Sequence, residues 1–93
     1  MTDIQTLHIL NKSPDHPRAI RCFEVLAEKD SLLLTENGVL LLATGNLAGV
    51  SRVFALAPDA KARGLGHRVC NVAYVDFPEM VALSLQAQRV ICW

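Results

Sequence analysis

The sequence has 93 residues, with nine Lys/Arg balanced by nine Asp/Glu, and 52% of it is apolar against 19% charged. That length suits one domain over residues 1–93, and the balance excludes a basic nucleic-acid binder. No run approaches the ~18 consecutive apolar residues of a membrane span.

Residues 6–10 ("TLHIL") form a short apolar run of strand type, stopped by Ser13, Pro14 and Pro17. Pro17 suits the first helical position, and His16 before it is pushed out of helical geometry. From 17 to 29, Ala19, Ile20, Phe23, Leu26 and Ala27 repeat at helical spacing. Residues 31–35 ("SLLLT") read as a central parallel strand covered on both faces, and "ENG" makes a turn. Residues 39–43 are apolar all round, so a helix there must be buried from every side, and a partner subunit is the expected cover, with Leu41 in the contact. Gly45 and Gly49 bracket a loop as turn residues of positive φ.

Residues 52–56 read as a third strand and 58–63 as a short helix closed by Gly64. Residues 69–75 are a fourth strand. Asp76 with Glu79 makes a capping box for a helix with Phe77, Met80, Val81 and Ser84 along one face. Residues 89–93 are a last short strand. Strands and helices alternating in this way predict an α/β domain: a mostly parallel sheet of four to five strands with helices on both faces.

A chain of this size hides only roughly 60–68% of the surface that it exposes when unfolded, so the apolar excess points to an oligomer. The polar start "MTDIQT" lacks the order of a signal peptide, and three cysteines without a Cys-x-x-Cys pair suit free thiols in the cytosol. Charge is uneven. Arg52, Lys61, Arg63 and Arg68 against Asp59 leave a surplus over 52–68 that fits a solvated helix face, or at most a phosphate or an acidic partner.

Few catalytic motifs survive inspection. "TGNLAG" and "GLGH" match neither phosphate-loop pattern, so a nucleotide-binding module rests on fold class alone. His67 and Cys70 are three apart, but His8 and His16 have no fixed spacing to them, and neither a metal nor a cofactor is expected. Cys70 and Cys92 are read as strand packing. Cys22 is placed at the edge of its helix's apolar stripe, one turn after Arg18. On the reactive reading it is partly exposed there, with a thiol pKa lowered by the guanidinium. Packing residue and reactive thiol remain equal readings of Cys22 on the residues alone.

Four segments together resemble the DsrH/TusB family: "LHILNKSP", "LLLTENGVLLLATG", "LAPDAKARGL" and "VAYVDFPEMVAL", with the closing Trp93. The likeness runs through nearly the whole chain. It implies an α/β subunit that joins two homologous sisters, DsrE/TusD-like and DsrF/TusC-like, in a hexamer of two heterotrimers; the apolar surface predicts self-association when they are absent. It implies a cytoplasmic sulfur relay, a carrier subunit rather than a self-sufficient enzyme. Persulfide sulfur passes between cysteines toward 2-thiolation of the tRNA wobble uridine, or in another branch during sulfur oxidation. Some members carry a cysteine in the first helix, which makes Cys22 the candidate persulfide carrier; the alternative is a purely structural subunit. Asp59, Arg63, Gly64, Tyr74 and Asp76 are read as structural.

Overall fold

In a computed structural model that describes residues 4–44, 47, 49–66, 69 and 71–93, the strands form one all-parallel sheet. They are β1 (Ile4–Leu10), β2 (Ser31–Leu34), β3 (Val53–Leu56), β4 (Val72–Val75) and β5 (Ala87–Cys92), in the order β4-β3-β2-β1-β5. The chain steps outward from β1 to β4, then returns to pair β5 with the free edge of β1. Right-handed crossovers running in one direction leave their helices on one face, and the reversed step leaves its helix on the other. Accordingly α1 (Pro17–Val25), a 3-10 helix (Glu36–Ala43) and α2 (Ala57–Ala62) pack over Leu10, Leu32, Leu34, Val53 and Ala55. On the opposite face α3 (Phe77–Gln86) packs over Ile4, Leu7, Leu33 and Leu56. The expected α/β architecture is present, with five strands.

Local chemistry sets the boundaries. His16 is the N-cap of α1 in extended geometry, and its Nδ1 accepts the Arg18 N–H at 3.0 Å. Asp76 and Glu79 form the reciprocal capping box on α3, with both bonds at 2.8 Å. Gly49 takes a φ of +91°, as a turn residue of its kind was expected to, while Gly45 lies outside the described residues. So do His67, Arg68 and Cys70.

Three packing expectations are corrected. The helix α1 stops at Val25 rather than 29, and its buried residues are Ala19 and Cys22, while Ile20 is exposed. The 39–43 stretch needs no partner for cover: Val39, Leu41 and Leu42 are buried within the chain's own core, and Ala43 is exposed. A charge at Leu41 would therefore strike the monomer's core and not an interface. On α3 the residue driven into the sheet is Leu83, with Met80 packed beside it, and Phe77 and Val81 turn outward. In each case the helix's rotation is set by the sheet it crosses, which a helical period alone does not specify.

Candidate functional site

In an open parallel sheet, ligand sites collect beyond the carboxyl ends of the strands, near the point where strand order reverses. Here the reversal falls between β1 and β5. A groove of about 390 Å³ opens there, lined by Ile9, Thr35, Leu56, Phe77, Met80 and Cys92 together with Asn11, Glu36 and Asp59. It therefore draws on the ends of β1, β2, β3 and β5 and the start of α3.

The rim of the groove is held by α2. The Asp59 carboxylate accepts the Glu36 N–H at 2.7 Å, fixing a residue whose φ is +48°. Arg63 reaches Asn37 Oδ1 with Nε at 3.3 Å and Nη2 at 3.1 Å. Gly64 ends the segment at a φ of +71°. Asp59 and Arg63 are thus clamps on the turn after β2, a more specific duty than the helix-and-cap role read from the sequence. Behind that turn, Gly38 lies against the Leu10 carbonyl so closely that a Cβ would stand 2.9 Å from its carbon and nearer still to its oxygen.

The end of β5 is fastened from the other face of the sheet. Trp93 donates its N–H to the Ile9 carbonyl at 2.8 Å, and its carbonyl accepts Lys12 Nζ at 2.8 Å. Its indole stacks on His8, with centroids 6.0 Å apart and 16° between planes. The indole Nε1–H donates to His8 Nδ1 at 3.0 Å, so the imidazole proton sits on Nε2. From there it reaches Asp30 Oδ2 at 2.9 Å, and the same oxygen accepts the Ala27 N–H at 3.0 Å. His8 and Asp30 are both buried. This latch decides where the preceding residue, Cys92, stands.

Cys22 is not where the stripe argument put it. Its side chain is 0% exposed, packed with Ala19, Leu10, Leu32 and Leu34 under α1, and Arg18 is solvent-facing. Burial alone pushes the thiol from 9.0 up to about 11, the reverse of the lowered value expected. Cys92 is also corrected: it is exposed at the groove instead of packed away. The two sulfurs lie on opposite faces of the sheet. Alternation in β5, with Ile9 paired to Cys92, is the signal that could have placed Cys92 on the α3 face.

Alkylation separates the two thiols. Iodoacetamide on the folded chain at neutral pH labels Cys92 within minutes and leaves Cys22 intact until urea is added; equal labelling would contradict the burial. Linkage gives a second reading. A thiol whose folded pKa is raised contributes its full stability below pH 9.0 and loses it as pH climbs through about 11. Urea midpoints between pH 8 and 11 should therefore fall more steeply in the native chain than in Cys22→Ala, by roughly 2 kcal/mol over the window.

Comparison with known proteins places this architecture. The family model described as "DsrH like protein" matches residues 12–90. The chain belongs to the DsrH family. Among its relatives is Protein TusB of Pectobacterium parmentieri, 31% identical over 94% of this chain and 99% of that protein. Protein TusB of Escherichia coli O81 is 32% identical over the same shares, and that of Salmonella arizonae 34% identical over 97% of this chain and 99% of its own. The sequence segments that carried the resemblance are, in this DsrH-family fold, the β1 end, the Gly38 turn, the Asp59–Arg63 clamp and the α3 capping box.

Proposed function

We propose that this chain is a subunit of a cytoplasmic sulfur relay that delivers persulfide sulfur toward 2-thiolation of the tRNA wobble uridine. The observation that carries the reading is the near full-length similarity to proteins named TusB. The relay needs neither a large cavity nor a cofactor. A thiolate takes the outer sulfur of one persulfide and presents it to the next thiol.

The subunit works beside two homologous sisters in a hexameric assembly, and the surface offered for them is on α3. Phe77, Val81 and Leu85 follow one another at four-residue spacing and are 54%, 52% and 80% exposed. Val90 on β5 is a further exposed apolar side chain. With a single helix over that face, most of the exposed large apolar side chains among the described residues lie here, with Ile20 and Val25 on α1, while Leu41 is buried.

Within this reading Cys22 has two roles to choose between, carrier or core filler, and its burial and raised pKa favour the filler. No helix of the described residues is long and apolar enough to cross a membrane.

The test is genetic and chemical together. Removing the gene should abolish wobble 2-thiouridine measured by nucleoside mass spectrometry, and the native gene should restore it. A Leu85→Glu variant should fold within about 0.5 kcal/mol of the native chain, because the site is exposed. It should nevertheless co-purify with its sisters at least tenfold less, a loss of about 1.4 kcal/mol in the contact. Undiminished 2-thiouridine in the deletion strain would remove the relay reading. A hexamer indifferent to Leu85→Glu would move the interface elsewhere.

A further inference from the structure

We propose that the groove at the carboxyl ends of β1, β2, β3 and β5 is a persulfide-binding site, with Cys92 as its sulfur acceptor. The inference rests on the sulfur-relay reading and names, within it, the residues that do the chemistry. Three observations support it. Cys92 is an exposed thiol standing in a formed groove at the reversal point of the sheet. Its position is not left to a loose chain end, because Trp93 next to it is bonded to Ile9, Lys12 and His8.

The third observation is Thr35, which lines the same groove and is only 8% exposed. Its hydroxyl makes no capping bond to the helix that follows, and it takes part in no other hydrogen bond among the described residues. The sealed, unsatisfied side-chain polar atom among the described residues is Ser31 Oγ and not Thr35 Oγ1, so the Thr35 hydroxyl opens to the groove, where it can donate to a bound partner. An anionic sulfur is such a partner.

The walls define the donor. Ile9, Leu56, Phe77 and Met80 are apolar and accept the carbon skeleton beside the sulfurs. Glu36 and Asp59 put negative charge at the rim, so the favoured persulfide carries a cationic group near its sulfur. The Cys92 thiolate attacks the outer sulfur of the donor R–S–SH. A new S–S bond forms to Cys92, the donor's S–S bond breaks, and R–S⁻ departs with the electron pair. The products are Cys92–S–SH and the donor thiolate, so no external oxidant or reductant is consumed. Thr35 Oγ1–H donates to the sulfur on which negative charge gathers.

The experiment uses the full chain with two small donors, cysteamine persulfide and 3-mercaptopropionate persulfide. Rates are followed by intact mass and sites by peptide mapping. One sulfur should be gained at Cys92, and Cys92→Ser should lose it. The folded chain should react faster than the same chain in urea, as a site requires and mere exposure does not. The cationic donor should be preferred, and Glu36→Gln should narrow that preference. Thr35→Val should slow transfer about tenfold, the scale of one hydrogen bond to a charged group. Sulfur appearing first at Cys22 or Cys70, equal rates folded and unfolded, or indifference to Thr35→Val would each overturn the assignment. The relay reading is separately exposed. If deletion of the gene abolishes 2-thiouridine while Cys92→Ser restores it in full, the groove assignment fails and the relay stands. If deletion leaves 2-thiouridine untouched, the relay reading itself fails.

Discussion

Gly38→Ala should destabilise the fold by about 3 kcal/mol, near the upper end for overpacking. The new methyl would stand 2.9 Å from the Leu10 carbonyl carbon and closer to its oxygen, and both neighbours are backbone. Backbone cannot rotate away as a side chain can. The same Leu10 carbonyl accepts the Thr35 N–H at 3.0 Å, and Gly38 donates its own N–H to Thr35 at 2.8 Å. Relieving the clash therefore means breaking the ties between the end of β1 and the turn after β2. Urea unfolding of the variant measures the cost. Because Thr35 and Glu36 line the groove, transfer to Cys92 should drop more than the loss of folded protein accounts for. A variant as stable as the native chain would mean that the turn yields without strain.

Asp30→Ala should cost a similar amount, about 3 kcal/mol, for a different reason. Asp30 Oδ2 accepts from both His8 Nε2 and the Ala27 N–H, at 2.9 and 3.0 Å. Its removal leaves the His8 N–H without a partner at a site where water does not reach, and an orphaned buried donor forfeits its hydration outright. Asp30→Asn should cost roughly half as much, since the amide keeps one acceptor oxygen. The sole tryptophan reports the consequence: once His8 is free to turn, Trp93 loses the partner of its Nε1–H, and its fluorescence should shift toward that of solvent-exposed indole. An Asp30→Ala chain with native emission and native urea midpoint would show that the latch contributes nothing. Retained stability with slower transfer would show that it serves to hold Cys92 in place.

Much of the architecture was legible because its signals are local. The Asp76–Glu79 capping box, Pro17 as a helix start, the Gly64 stop and the "SLLLT" run depend on residues a few positions apart. Short-range geometry settles them. The helical faces were less legible. Ile20, Phe77 and Val81 fit an apolar stripe but face outward, while Cys22 was set at a stripe's edge and is fully buried. A stripe wider than the contact it serves leaves the rotation of a short helix open, and only the sheet beneath decides it. The 39–43 stretch failed in the opposite sense: its cover came from within the chain, since the 3-10 helix packs against β2, β3 and α2.

The site divides along the same line. Sequence by itself determined the fold class, the DsrH-family kinship, and that any sulfur chemistry must use one of three cysteines. Tertiary structure decided which of the two described cysteines meets solvent. Cys22 was displaced from its expected reactivity by desolvation, a property of everything packed around it. Cys92 was brought to the groove by pairing between residues more than eighty positions apart, Ile9 with Cys92 and His8 with Trp93. Spacing along the chain does not encode such pairings, because the reversal of strand order that creates them is a choice made by the whole sheet.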